Sequence, residues 1–99
     1  MSEEQLPKEP RSPGKVGLEE MMIKGSQRLT NLIGLKLLAV IEVGRSEENG
    51  WIMKLEYVER EGIPNTMDLI GLYEAGFDQY GHLLNYTRLD MRKRGESYT

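Results

Sequence analysis

The side chains able to do chemistry in this sequence are carboxylates, arginines and tyrosines. Glu56, Glu74, Tyr86 and Arg88 fall at alternating positions of apolar–polar runs, which places them together on the polar side of a sheet. Glu42 and Lys54 belong to the same side. With one residue of each hairpin in a left-handed turn, Glu42 is expected opposite Glu56, and Glu74 opposite Tyr86 with Arg88 diagonal to it. The chemistry such a set can offer is charge-assisted hydrogen bonding to a partner, not the making or breaking of covalent bonds.

Catalytic groupings are absent from the pattern. His82 is the one histidine and sits at a turn, where a solvated ring is expected rather than a general base. No serine has a base beside it in sequence, no EF-hand spacing of acids occurs, and no Gly-Lys-Ser/Thr phosphate loop is present. With zero cysteines, thiolate metal sites and a Cys nucleophile are excluded. The expectation is therefore a non-enzymatic protein with no cofactor, no metal and no small-molecule substrate. Arg88, Arg92, Lys93 and Arg94, with Tyr86 and Tyr98 nearby, form a basic string that could touch phosphates, although Asp90 and Glu96 interrupt it.

A helix and four strands must position these groups. Leu18, Met21, Met22, Gly25, Leu29, Leu32 and Ile33 recur at helical spacing, which predicts a helix over 16–33 with Glu19 and Glu20 in its first turn. Leu35, Leu37, Ala39, Ile41 and Val43 then alternate, as do Trp51, Met53, Leu55 and Tyr57, with Glu47-Glu-Asn-Gly50 as the turn between. Pro64 ends the second strand, because it has no N–H for a ladder. A third strand over about 68–77 reaches a turn closed by Gly81, and a fourth runs from 82 to about 92. This predicts an α+β fold: an N-terminal helix packed on one face of a four-stranded antiparallel β-meander. Trp51 and Leu55 are expected in its core, and Pro64 and Gly81 at its turns.

The remaining composition fits one small domain over 16–94. Residues 1–15 hold three of the four prolines and balanced charge, so a disordered leader is expected, with a frayed tail over 95–99. The longest apolar run, 37–41, falls far short of the roughly 20 residues of a membrane helix. A net charge of −3 gives no general pull toward nucleic acid or anionic membranes.

Gly50-Trp51, Glu56, Glu59, Ile63-Pro64, Asp68, Tyr73-Glu74, Gly81, Tyr86, Arg88 and Arg94-Gly95 occur in an order that resembles the gas vesicle protein O family. The resemblance covers about 30–95; Met91 and Arg92 stand where that family's arginine–tyrosine pair is expected. It implies a cytoplasmic accessory protein for assembling gas vesicles, associated with the vesicle and contacting other gas vesicle proteins. The alternative it implies is a small regulatory binder of nucleic acid acting on gas vesicle gene expression.

Overall fold

The computed structural model describes residues 14–98, so residues 1–13 of the leader expected over 1–15 lie outside the described residues. The architecture is the expected one. Helix α1 (Leu18–Ile33) is followed by β1 (Lys36–Arg45), β2 (Trp51–Arg60), a short 3-10 turn (Asn65–Met67), β3 (Leu69–Phe77) and β4 (Leu83–Lys93). The strands form one antiparallel sheet in sequential order.

The helix starts without a side-chain cap at Gly17 and stops at Gly34, whose φ of 78° suits glycine and whose N–H returns to the Thr30 carbonyl at 2.8 Å. Met21, Gly25 and Leu29 are its buried positions. A methyl at Gly25 would run into the Met53 sulfur and the Met21 side chain, so the glycine permits close approach to the sheet. Leu18, Met22 and Leu32 remain exposed, so the stripe that reaches the core is narrower than the sequence pattern. The core unites α1 with Trp51, Met53, Leu55, Tyr57, Tyr73, Ala75 and Phe77. These strand residues define the helix face of the sheet; the alternate positions form the outer face.

The register departs from expectation in both hairpins. The turn places Arg45 opposite Trp51, which pairs Val43 with Met53 and Glu42 with Lys54; irregularities between Val40 and Glu42 and between Leu37 and Ala39 then bring Val40 opposite Leu55 and Leu37 opposite Tyr57. Each bulge resets the alternation by one residue. Leu35, Leu37, Val40 and Val43 thus pack on the core, while Ile41 is exposed. Glu42 faces Lys54 (3.7 Å) rather than Glu56, which removes the like-charge pair expected there. In the β1–β2 turn the left-handed residue is Asn49 (φ 64°). Gly50 has a different role: a side chain there would strike the Phe77 carbonyl.

Candidate functional site: two carboxylate–arginine–tyrosine clusters

Two further irregularities, in β4, decide where the candidate residues lie. Phe77 pairs with Leu83 but Gly76 with Asn85, and Leu72 pairs with Asp90 but Tyr73 with Arg88. Leu84 and Leu89 are the extra residues. Tyr86 therefore pairs with Ala75 and Arg88 with Tyr73, both on the helix face, whereas Glu74 pairs with Lys54 and Thr87 on the outer face. Glu56 is also on the outer face, opposite Leu72. The four residues expected on one surface are split two and two, and each pair has acquired different partners.

On the outer face Glu56 is buried, at 6% exposure. Its carboxylate receives the Arg92 guanidinium through hydrogen bonds of 3.1–3.2 Å and the Tyr98 hydroxyl at 2.6 Å. Arg92 also donates to the carbonyls of Arg94 (2.9 Å) and Glu96 (3.0 Å), and its guanidinium lies 5.2 Å from the Tyr98 ring centre. Burial works against the Arg92 charge, but the bonds to Tyr98 and Glu56 outweigh it and hold the group above its ordinary pKa. Burial, reinforced by the Glu56 carboxylate, pushes the Tyr98 hydroxyl up to about 12.

A second closed pair adjoins this one. Asp68 accepts the Gly62 N–H at 2.7 Å and pairs with Arg94 at 3.0 Å. The Gly62 bond, with Arg94 adding to it, holds the Asp68 carboxyl below its ordinary value. The tail expected to fray over 95–99 is bound back where it is described: Arg94, just before it, and Gly95 donate backbone hydrogen bonds to the carbonyls of Asp68 and Thr66. Pro64, joined to Ile63 by a cis peptide, precedes the 3-10 turn that carries Thr66.

The helix face carries the second cluster, in the corner next to Tyr73. Glu59 follows the alternation of Leu55 and Tyr57 onto this face, beside the irregularity between Val58 and Arg60 at the end of β2. The Tyr73 hydroxyl donates to Glu59 at 2.5 Å, and Arg88 lies 3.6 Å from the same oxygen. Gly71 makes room for that carboxylate, since any side chain there would collide with it. Tyr73 stands edge-on to Tyr57 (5.4 Å) and tilted against Tyr86 (6.4 Å), giving an aromatic row across three strands. The Tyr57 hydroxyl is within 2.9 Å of the Thr30 hydroxyl on α1. Burial pushes the Tyr73 hydroxyl up to about 12, with the Glu59 bond and charge adding to it. Arg88 and Tyr86 are about half exposed.

The structural residues named from sequence fall as follows. Trp51 and Leu55 are buried in the core, with Arg45 over the indole at 4.5 Å. Gly81 adopts a φ of 87°, and its carbonyl accepts the Arg28 guanidinium. His82 is exposed and paired with Asp78 at 3.1 Å. Among the described residues no three acids or histidines gather to hold a metal, and no helix is long and apolar enough to cross a membrane.

Sequence reading left Glu59 and Tyr73 out of the candidate site, and placed Arg92 and Tyr98 with the basic string rather than with Glu56. Glu56 and Arg92 are 36 positions apart and Glu56 and Tyr98 are 42 apart, so no local spacing joins them. Glu59 shares the parity of Leu55 and Tyr57, which is the signal that could have placed its carboxylate on the helix face.

The family described as gas vesicle synthesis protein GvpO matches residues 4–98. Gas vesicle protein O of Streptomyces sp. is 32% identical over 95 residues, covering 95% of this chain and 69% of that one. Gas vesicle protein O of Haloferax mediterranei is 28% identical over 81 residues, 82% of this chain and 58% of its own length. Gas vesicle protein O1 of Halobacterium salinarum is 39% identical over 51 residues, 52% of this chain and 43% of its own. The chain thus spans less than two thirds of either haloarchaeal relative. No solved structure matches it. On the breadth of the family match, this chain belongs to the gas vesicle synthesis protein GvpO family.

Proposed function

We propose that this protein serves gas vesicle synthesis as a non-catalytic accessory, docking another gas vesicle protein through the open corner of its helix face. Family membership supplies the process. The single observation that carries the site is the state of Arg88: half exposed, 3.6 Å from Glu59, and beside Tyr73 and an exposed Tyr86. A guanidinium so placed keeps unused donors for a partner carboxylate or carbonyl, and Tyr86 and Tyr73 offer aromatic area at small entropic cost. The partner's contact surface is therefore acidic. The place of action is the cytoplasm, at the vesicle or its precursors. Glu56 and Glu74 leave this site, the first because it is buried and the second because it is on the other face.

The nucleic-acid alternative loses support, because two members of its basic string, Arg92 and Arg94, are engaged by Glu56 and Asp68. The test is Arg88→Glu, checked for folding by circular dichroism and assayed by pull-down of gas vesicle proteins and by flotation of cells. Loss of both with an intact fold is expected. A folded variant that captures partners and floats cells normally overturns the reading.

A further inference from the structure

The outer face holds a feature that neither cluster uses. At the end of the sheet bearing both hairpin turns, a groove of about 570 Å³ opens between the β1–β2 turn and the start of β4. Ile52, Gly76 and Asn85 are successive cross-strand neighbours on this face, and Leu84 is the extra residue of the adjoining bulge. The Asn85 amide lies over Gly76, and the apolar part of the groove is supplied by Ile52 and Leu84, both exposed, Leu84 at 63%. That volume is in the range of pockets that accept a ligand side chain or small molecule.

The polar lining has one sign. Glu47, Glu48 and Glu74 contribute carboxylates, and no lysine, arginine or histidine among the described residues lines the groove. The nearest cation by register, Lys54 opposite Glu74, is paired with Glu42. Arg45 is on the Trp51 ring. An apolar patch rimmed by three acids selects an aliphatic side chain flanked by positive charge, with the patch supplying desolvation and the rim supplying steering and register.

We propose that this groove captures a short basic segment of a partner protein, with one aliphatic residue seated against Ile52 and Leu84 and lysines or arginines flanking it. The site is independent of the Arg88 corner, on the opposite face, and would make the protein a two-sided connector.

The test uses the full chain and a fluorescein-labelled pentapeptide of four lysines around one leucine, with a serine-for-leucine peptide as control. Fluorescence anisotropy should show the leucine peptide binding about tenfold tighter than the serine one, the effect expected of one anchor residue. Amide shifts in NMR should move at Ile52, Gly76 and Leu84. Ile52→Asp and Leu84→Asp should each remove the preference for leucine; both alter exposed positions, so either keeps the test valid should the other impair folding. Glu47→Lys with Glu48→Lys should weaken binding about tenfold, whereas Glu19→Lys with Glu61→Lys, equal in charge but outside the groove, should change it less than about twofold. Equal affinity for both peptides, or equal weakening by both double variants, shows attraction to net charge alone and overturns the proposal. Arg88→Ala should leave peptide binding unchanged, so failure here is distinct from failure at the helix-face corner.

Discussion

Two clusters of the same composition, a glutamate, an arginine and a tyrosine, occupy opposite faces of one sheet and are finished differently. Around Glu56 the protein closes its own circuit: Arg92 is 18% exposed and donates to the carboxylate and to backbone carbonyls, with Tyr98 completing the shell. Around Glu59 only the tyrosine makes a short bond, and Arg88 stands 49% exposed at 3.6 Å. Residue type does not separate these cases; satisfaction does. A buried ion pair whose donors are all used fixes a local arrangement and has little left for a partner. A pair that leaves a guanidinium half in water costs little to keep and retains donors for docking.

The largest effect should come from opening the closed circuit. Arg92→Ala leaves Glu56 buried without its counter-charge, which is expected to cost about 3 kcal/mol and lower the melting temperature by roughly 12–24 °C. Replacing both members, Glu56→Leu with Arg92→Leu, should recover most of that loss, because apolar groups carry no desolvation penalty. A thermal melt of the single variant within a few degrees of the parent would show that the outer cluster is no more architectural than the inner one.

Tyr98→Phe should cost less, about 1.5 kcal/mol, since it removes one hydrogen bond to a charged acceptor. A smaller and shared effect appears at high pH. Tyr98 and Tyr73 are both raised to about 12 from an ordinary value of 10.0. A folded-state pKa above the unfolded one favours the fold while the group is protonated. That contribution is complete below about pH 10 and is lost as pH climbs toward about 12. Melting temperature should fall across this window, and Tyr98→Phe and Tyr73→Phe should each flatten part of the fall. Melts at stepped pH, with tyrosinate absorbance followed in parallel, would show it; an unchanged slope in both variants would refute the shared origin.

The fold was legible because hydrophobic period changes from helical to alternating after Gly34, and because turn residues separate the strands. Register was not. The bulges of β1 and β4 fall among ordinary strand formers such as Ile41 and Leu89, whose side chains give no sign that the alternation will reset there. One unmarked residue at Leu89 is enough to separate Arg92 from Arg88 by face. The residues of the candidate site were largely present in the sequence reading, but their grouping depended on parity, and parity is what a bulge destroys. Tyr98 shows the other limit: its role comes from a contact 42 positions away, in a segment whose composition suggests a loose end.

The smallest stability effect, and the sharpest division between the clusters, is expected at Arg88. Its guanidinium is half exposed, and the pair with Glu59 is longer than a hydrogen bond, so solvent already screens most of the attraction. Arg88→Ala should shift stability by no more than about 0.5 kcal/mol, a melting change of a few degrees at most. Glu59 keeps the Tyr73 hydroxyl and is left without a strong demand for a cation. Binding should respond in the opposite proportion, because a docked guanidinium loses its water and gains a carboxylate only in the complex. Arg88→Lys gives a graded control: it retains the charge but not the planar fork, so it should restore the stability of the parent while recovering partner capture only in part. Equilibrium denaturation of the three proteins beside pull-down of gas vesicle proteins separates the two quantities. If Arg88→Ala proves as destabilising as Arg92→Ala, the open corner is a structural pair like the closed one, and the contrast between the two faces does not mark a docking site.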